Sequence, residues 1–138
     1  MVLLGWADQQ VLPGHEALEA RLNVQCSAFD PFLEGHPPQA HFRNALPRFR
    51  EAGLVDTACQ TMVGRISSPL SAAPRQGLAL LFEMLWGGSL PRASRPDQEA
   101  YRRLCLPTSP DFIGDVPGYS ASFTVLAFSG TVRFASPG

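Results

Sequence analysis

The chain has 138 residues, a formal net charge of −1, 45% hydrophobic residues and 17% charged residues. That balance allows a buried core and excludes bulk disorder. The near-neutral charge gives no electrostatic footprint for nucleic acid or for an anionic membrane. The three cysteines, Cys26, Cys59 and Cys105, are odd in number, far apart and without a C-x-x-C spacing, which predicts reduced, buried, structural thiols. The opening residues carry no basic segment ahead of a long apolar run. The longest apolar-rich stretch, residues 77–86, is broken by Glu83 and falls far short of a membrane span. A soluble, cytoplasmic protein is the expectation.

Residues 2–6 are an apolar run, expected as a strand buried on both faces as in a parallel sheet. Pro13-Gly14 punctuates the chain. Between residues 15 and 32, Leu18, Leu22, Cys26 and Phe29 recur at spacings of four, four and three and define one face of a helix. The loop from Asp30-Pro31 to Pro38 ends it. A second helix is predicted over residues 39–52, with Phe42, Leu46 and Phe49 on one face and Pro47 expected to kink or split it. Gly53 supplies its stop.

Residues 54–66 read as a β-rich strand. Ser71 is the predicted N-cap of a third helix over residues 72–86, with Pro74 in its first turn. Leu78, Leu81, Phe82, Leu85 and Trp86 form its apolar face, and Gly87-Gly88 end it. A short helix is predicted over residues 96–104, then a Pro/Gly/Asp-rich loop to residue 119. A long strand follows over residues 122–134, in which Gly130 marks a bulge or bend.

The order of elements, together with Phe42 to Asp56 (a helix ending in Glu51-Ala52-Gly53-Leu54 and running into a strand), resembles the C-terminal part of the class I S-adenosylmethionine-dependent methyltransferase family. Residues 2–6 resemble that family's fifth strand. Residues 104–113 and the terminal strand resemble its passage from lid to last strand. The fold class this implies is α/β, the C-terminal portion of a doubly wound, Rossmann-like sheet. Three strands are expected, the last antiparallel and lying between the other two, with a helical lid or insertion over about residues 71–106. The first strand would then have a bare outer edge.

The resemblance implies methyl transfer to a small, apolar-bodied acceptor in the complete protein, with S-adenosylmethionine as cofactor. This chain would supply acceptor contacts and the lid. The family's glycine-rich loop after the first strand is absent, for no G-x-G occurs and Gly87-Gly88 follow a helix. No cofactor is therefore expected to bind this chain alone, and the isolated chain is not expected to be catalytically competent. Alternatives are a non-enzymatic α/β module binding a small molecule or a partner, and a truncated inactive fragment. The partners expected are a small-molecule acceptor and either a missing N-terminal half or a second copy joined through the first strand. Neither nucleic acid nor membrane is expected.

Candidate substrate-binding residues follow from position. Trp6, Asp8 and Gln9 come after the first expected strand, where ligands of open α/β sheets bind beyond the carboxyl ends of strands; the other reading is a polar turn with Trp6 as packing. His41 opens the second helix and could orient an acceptor or take a proton. Met84 and Trp86, beside Phe82 and Leu85, are either core or the lining of an apolar acceptor pocket. His15, His36 and His41 have no metal-ligand spacing, no H-E-x-x-H occurs, and no serine stands in a G-x-S-x-G context.

Overall fold

A computed structural model describes residues 1–25 and 42–133 of the chain. The protein is α/β, with a three-stranded antiparallel open sheet and several helices. The strands are β1 (Val2–Gln10), β2 (Val55–Ser67) and β3 (Ser120–Thr131), in the order β1-β3-β2. The last strand in sequence is thus the central one, as expected. Met1 and Gly130 exchange backbone hydrogen bonds at one end of the β1–β3 pair, and Ser68 N donates to Tyr119 O at an end of the β2–β3 pair. Both pairings are antiparallel.

The chain divides into two compact units. Among the described residues the first holds 1–9, 42–64 and 123–133, and the second holds 10–25 and 65–122.

The first unit is the body of the sheet with one helical segment, a 3₁₀ turn (Phe42–Asn44) leading into α2 (Ala45–Glu51). Pro47 is the third residue of this helix, where the missing N–H would have no intrahelical acceptor anyway. The segment predicted as one helix is divided here into a 3₁₀ turn and a short α-helix, with Pro47 in the first turn of the latter. Gly53, at φ +81°, takes the left-handed turn that ends the helix and starts β2. A small core of Ala45, Phe49 and Phe128, flanked by Phe42, Leu46, Leu54 and Leu126, joins α2 to the sheet. The side chains of Leu54 and Phe49 occupy the space where a Cβ on Gly130 would stand. That close approach is what a glycine at position 130 permits.

Gly5 and Gly64 play the same part for aromatic rings, Phe42 lying over one and Phe123 over the other. Trp6 stacks on Phe123, with centroids 5.3 Å apart and planes 20° apart. The start of β1 corrects the expectation of a strand buried on both faces: Val2 is 68% and Leu4 62% exposed. Most of β2 is exposed too, including Met62 and Val63. Both are edge strands, and β3 between them is half-buried along most of its length.

The second unit contains α1, described over Glu16–Gln25, α3 (Ala72–Phe82) and α4 (Arg95–Cys105). Leu18 and Leu22 carry the buried stripe of α1; Cys26 and Phe29, predicted to extend it, lie outside the described residues. Ser94 caps α4, its hydroxyl accepting from Asp97 N at 3.3 Å, with Pro96 in the first turn. Ser71 stands at the N-cap of α3 as predicted but makes no capping bond. After Phe82 the helix widens into a single π turn, Glu83–Gly87, a feature the apolar periodicity did not reveal.

Residues 71–106, expected as a lid, contribute much of the larger of the two cores. Phe82, Trp86, Tyr101 and Phe112 are fully or almost fully buried there with Val11, Leu12 and Leu22. Phe82 stacks on Trp86 at 5.7 Å, and Tyr101 and Phe112 meet these rings edge-on. Among the described residues no helix is long and apolar enough to cross a membrane.

Candidate functional site

The predicted site residues separate on the structure. Asp8 and Gln9 do not follow β1; they are part of it, because the strand runs on to Gln10. Asp8 is exposed and its Oδ1 accepts from the Gln9 backbone N–H at 2.8 Å. Trp6 is half-buried, and its Nε1 donates to Gln9 Oε1 at 2.8 Å. These three therefore form a short polar and aromatic surface within the first unit. Met84 and Trp86 belong to the second unit, both on the π turn, and point to opposite fates. Met84 is 68% exposed, whereas Trp86 is fully buried and donates from Nε1 to Asn23 Oδ1 at 2.9 Å. That bond satisfies the only polar atom of the indole, so Trp86 is a core residue here. His41 lies outside the described residues, as do Cys26 and His36. Of the two described cysteines Cys105 is buried as predicted, while Cys59 on β2 is exposed.

The described residues do bring together one concave site, and sequence reasoning placed it only by region. It is a cleft of about 470 Å³ in the second unit, walled by α3, the start of the π turn, α4 and the residues after α4. Ala79, Leu106 and the Cys105 thiol give it an apolar floor; Arg75, Gln76, Glu83 and Tyr101 give it polar groups. The size suits a small organic molecule.

Arg75 is paired with an acidic neighbour. Its Nε and Nη2 clamp the Asp115 carboxylate at 2.8 and 2.7 Å, Nη2 also donates to Pro107 O at 2.8 Å, and the guanidinium lies 4.9 Å from the centre of the Phe112 ring. The shared hydrogen bonds hold the Asp115 carboxyl below the usual carboxylate range and raise the guanidinium. Glu83 is exposed to the cleft and receives one long contact, from the Tyr101 hydroxyl at 3.4 Å. Gly87, one helical turn on, leaves the space in which the Glu83 carboxyl group sits.

Burial, and then the charge of Glu83, pushes the Tyr101 phenol well above its ordinary range. Burial, and then the charge of Glu19, does the same to the Cys105 thiol. Tyr101 is thus a hydrogen-bond donor and Cys105 a neutral apolar surface. The arrangement can bind and orient a ligand.

No protein-family model, curated protein or solved structure matches the chain. The strand-to-helix turn after β1, residues 11–15, has one glycine, Gly14 at φ +81°. The same turn is closed by Glu19, whose carboxylate accepts from Val11 N at 3.1 Å and from Leu12 N at 2.9 Å. Those backbone donors, which in a phosphate or nucleotide loop would face the ligand, are spent on a side chain. These two donors are therefore not open to a ligand at this turn. Among the described residues there is no group of three or more His, Cys, Asp or Glu able to hold a metal ion.

The site's supports were not signalled by any motif. Glu19 reads as a helix-surface charge, yet it is buried. Asp97, also buried, receives a two-pronged bond from Arg21, with distances of 2.7 to 3.1 Å, and joins α1 to α4. Pairs separated by 76 residues in sequence leave no local pattern to find.

Proposed function

We propose that this chain is a small-molecule-binding α/β element, corresponding to the acceptor-facing side of an S-adenosylmethionine-dependent methyltransferase whose cofactor loop is carried on other residues. The observation that carries this reading is the strand order β1-β3-β2, in which the last strand enters antiparallel between two strands that are parallel to each other. That arrangement is the one the family resemblance implies for its final three strands. The helix α2, the Gly53 turn and β2 supply the expected helix-to-strand passage. The cleft of the second unit is the acceptor site in this reading, and residues 71–106 supply most of its lining. What the chain's own residues contribute is binding and orientation: an apolar floor for the body of the acceptor, and the Glu83 and Tyr101 groups for its polar end.

Calorimetric titration of the purified chain with S-adenosylmethionine tests the division of labour. No saturable heat is expected at micromolar cofactor. Saturable binding would place cofactor recognition within these residues and overturn the proposal.

A further inference from the structure

We propose that the cleft between α3 and α4 selects a small organic cation, its ammonium group paired with the Glu83 carboxylate and its apolar body lying on Ala79, Cys105 and Leu106. Two charged side chains line this cleft, Arg75 and Glu83, and their circumstances differ. The Arg75 cation is neutralised by the Asp115 carboxylate at 2.7 Å and further occupied by Pro107 O. Glu83 makes no ion pair with any described residue, and its one contact, the Tyr101 hydroxyl, is long at 3.4 Å. An anion entering the cleft would therefore meet an unneutralised carboxylate and a guanidinium already paired with Asp115. A cation would meet its complement.

The local structure holds this carboxylate in place. The π turn that starts at Glu83 sets its side chain over the bare Cα of Gly87, in space that any Cβ there would take. Tyr101 is almost wholly buried, so its hydroxyl is a fixed donor beside the carboxylate and not a mobile one. The floor contributes no competing charge, since Ala79 and Leu106 are aliphatic and the Cys105 thiol is buried and neutral. An aryl or alkyl amine of modest size matches a cleft of about 470 Å³ with a single acidic group. The inference concerns binding and does not depend on methyl transfer; joined to the proposed function, it makes the acceptor an amine.

The test is a ¹H–¹⁵N NMR titration of the full 138-residue chain with three probes of similar body: phenethylammonium, 2-phenylethanol and phenylacetate. The cation is expected to shift amides around Gln76, Ala79, Glu83 and Leu106 saturably at millimolar concentration. The alcohol should bind at least about fivefold more weakly and phenylacetate not at all, the magnitude of a partly exposed charge-assisted pair. Glu83→Gln should weaken the cation about fivefold and leave the alcohol unchanged. Gln76→Arg changes an exposed side chain two turns from Glu83, adds a cation at the rim, and should weaken the same probe even if the first variant fails to fold. Equal affinity for cation and alcohol, no saturable shift, or full affinity in a folded Glu83→Gln or Gln76→Arg variant would overturn the proposal. Since no arm measures methyl transfer or cofactor, its failure would leave the strand-order reading untouched.

Discussion

Replacing Glu19 by alanine removes a buried acceptor on which the turn after β1 depends. The Glu19 carboxylate receives the N–H groups of Val11 and Leu12, and both of those residues have no solvent exposure. In Glu19→Ala both donors lose this acceptor in an apolar setting, at about 1–3 kcal/mol each. Relief from burying a charge offsets part of that, so a net loss of about 1–4 kcal/mol is expected. A small domain is stable by about 5–15 kcal/mol, so this would be a large fraction of the total. Glu19→Gln keeps one acceptor oxygen and should lose roughly half as much. Urea unfolding followed by tryptophan fluorescence measures both, since Trp86 lies in the same core as Val11 and Leu12. If Glu19→Ala unfolds within about 0.5 kcal/mol of the parent, the two donors have another partner and the reasoning fails.

Stability should also fall in acid: hydrogen bonding to Arg21 lowers the Asp97 carboxyl and hydrogen bonding to Arg75 lowers Asp115. Each contribution is complete above the ordinary Asp value of about 3.9 and is lost as pH falls through the lower folded value. Unfolding midpoints measured from neutral pH to strong acid should therefore drop below about pH 4, and less steeply in Asp97→Asn. Trp86→Phe should destabilise the protein by about 1–3 kcal/mol, through the void it leaves and the loss of the Nε1 bond to Asn23, measured by the same urea titration. A thiol reagent followed by peptide mapping should label exposed Cys59 in the native state and buried Cys105 only on unfolding.

The sequence made the elements legible where one periodicity acted alone. β2 and α4 begin and end within a residue of expectation, because Gly53 and Ser94 punctuate them with specific chemistry. β3 reached the centre of the sheet as its long run of apolar and β-branched residues suggested. What escaped was set by tertiary contact. β1 continues past Trp6 through the polar residues Asp8, Gln9 and Gln10, since pairing with β3 satisfies its backbone whatever the side chains are. The π turn reads in sequence as ordinary helix, and only the space at Gly87 separates Glu83 from a surface charge. Trp86 and Met84 are two residues apart and equally apolar, yet one is core and the other exposed. A hydrophobic stripe does not say which of its members will meet solvent.

The central claim is that these residues serve the acceptor side of a methyl-transfer reaction and depend on cofactor-binding residues elsewhere. It is tested most directly by methyl transfer from tritiated S-adenosylmethionine to a panel of small amines and alcohols. The chain purified alone should be compared with the same tagged chain isolated with its associated proteins from its native host. The account predicts transfer to a small molecule by the native assembly, with a KM about fivefold higher in Glu83→Gln when the acceptor is an amine, and none by the chain alone. Transfer by the chain alone, or none by the native assembly, would contradict it.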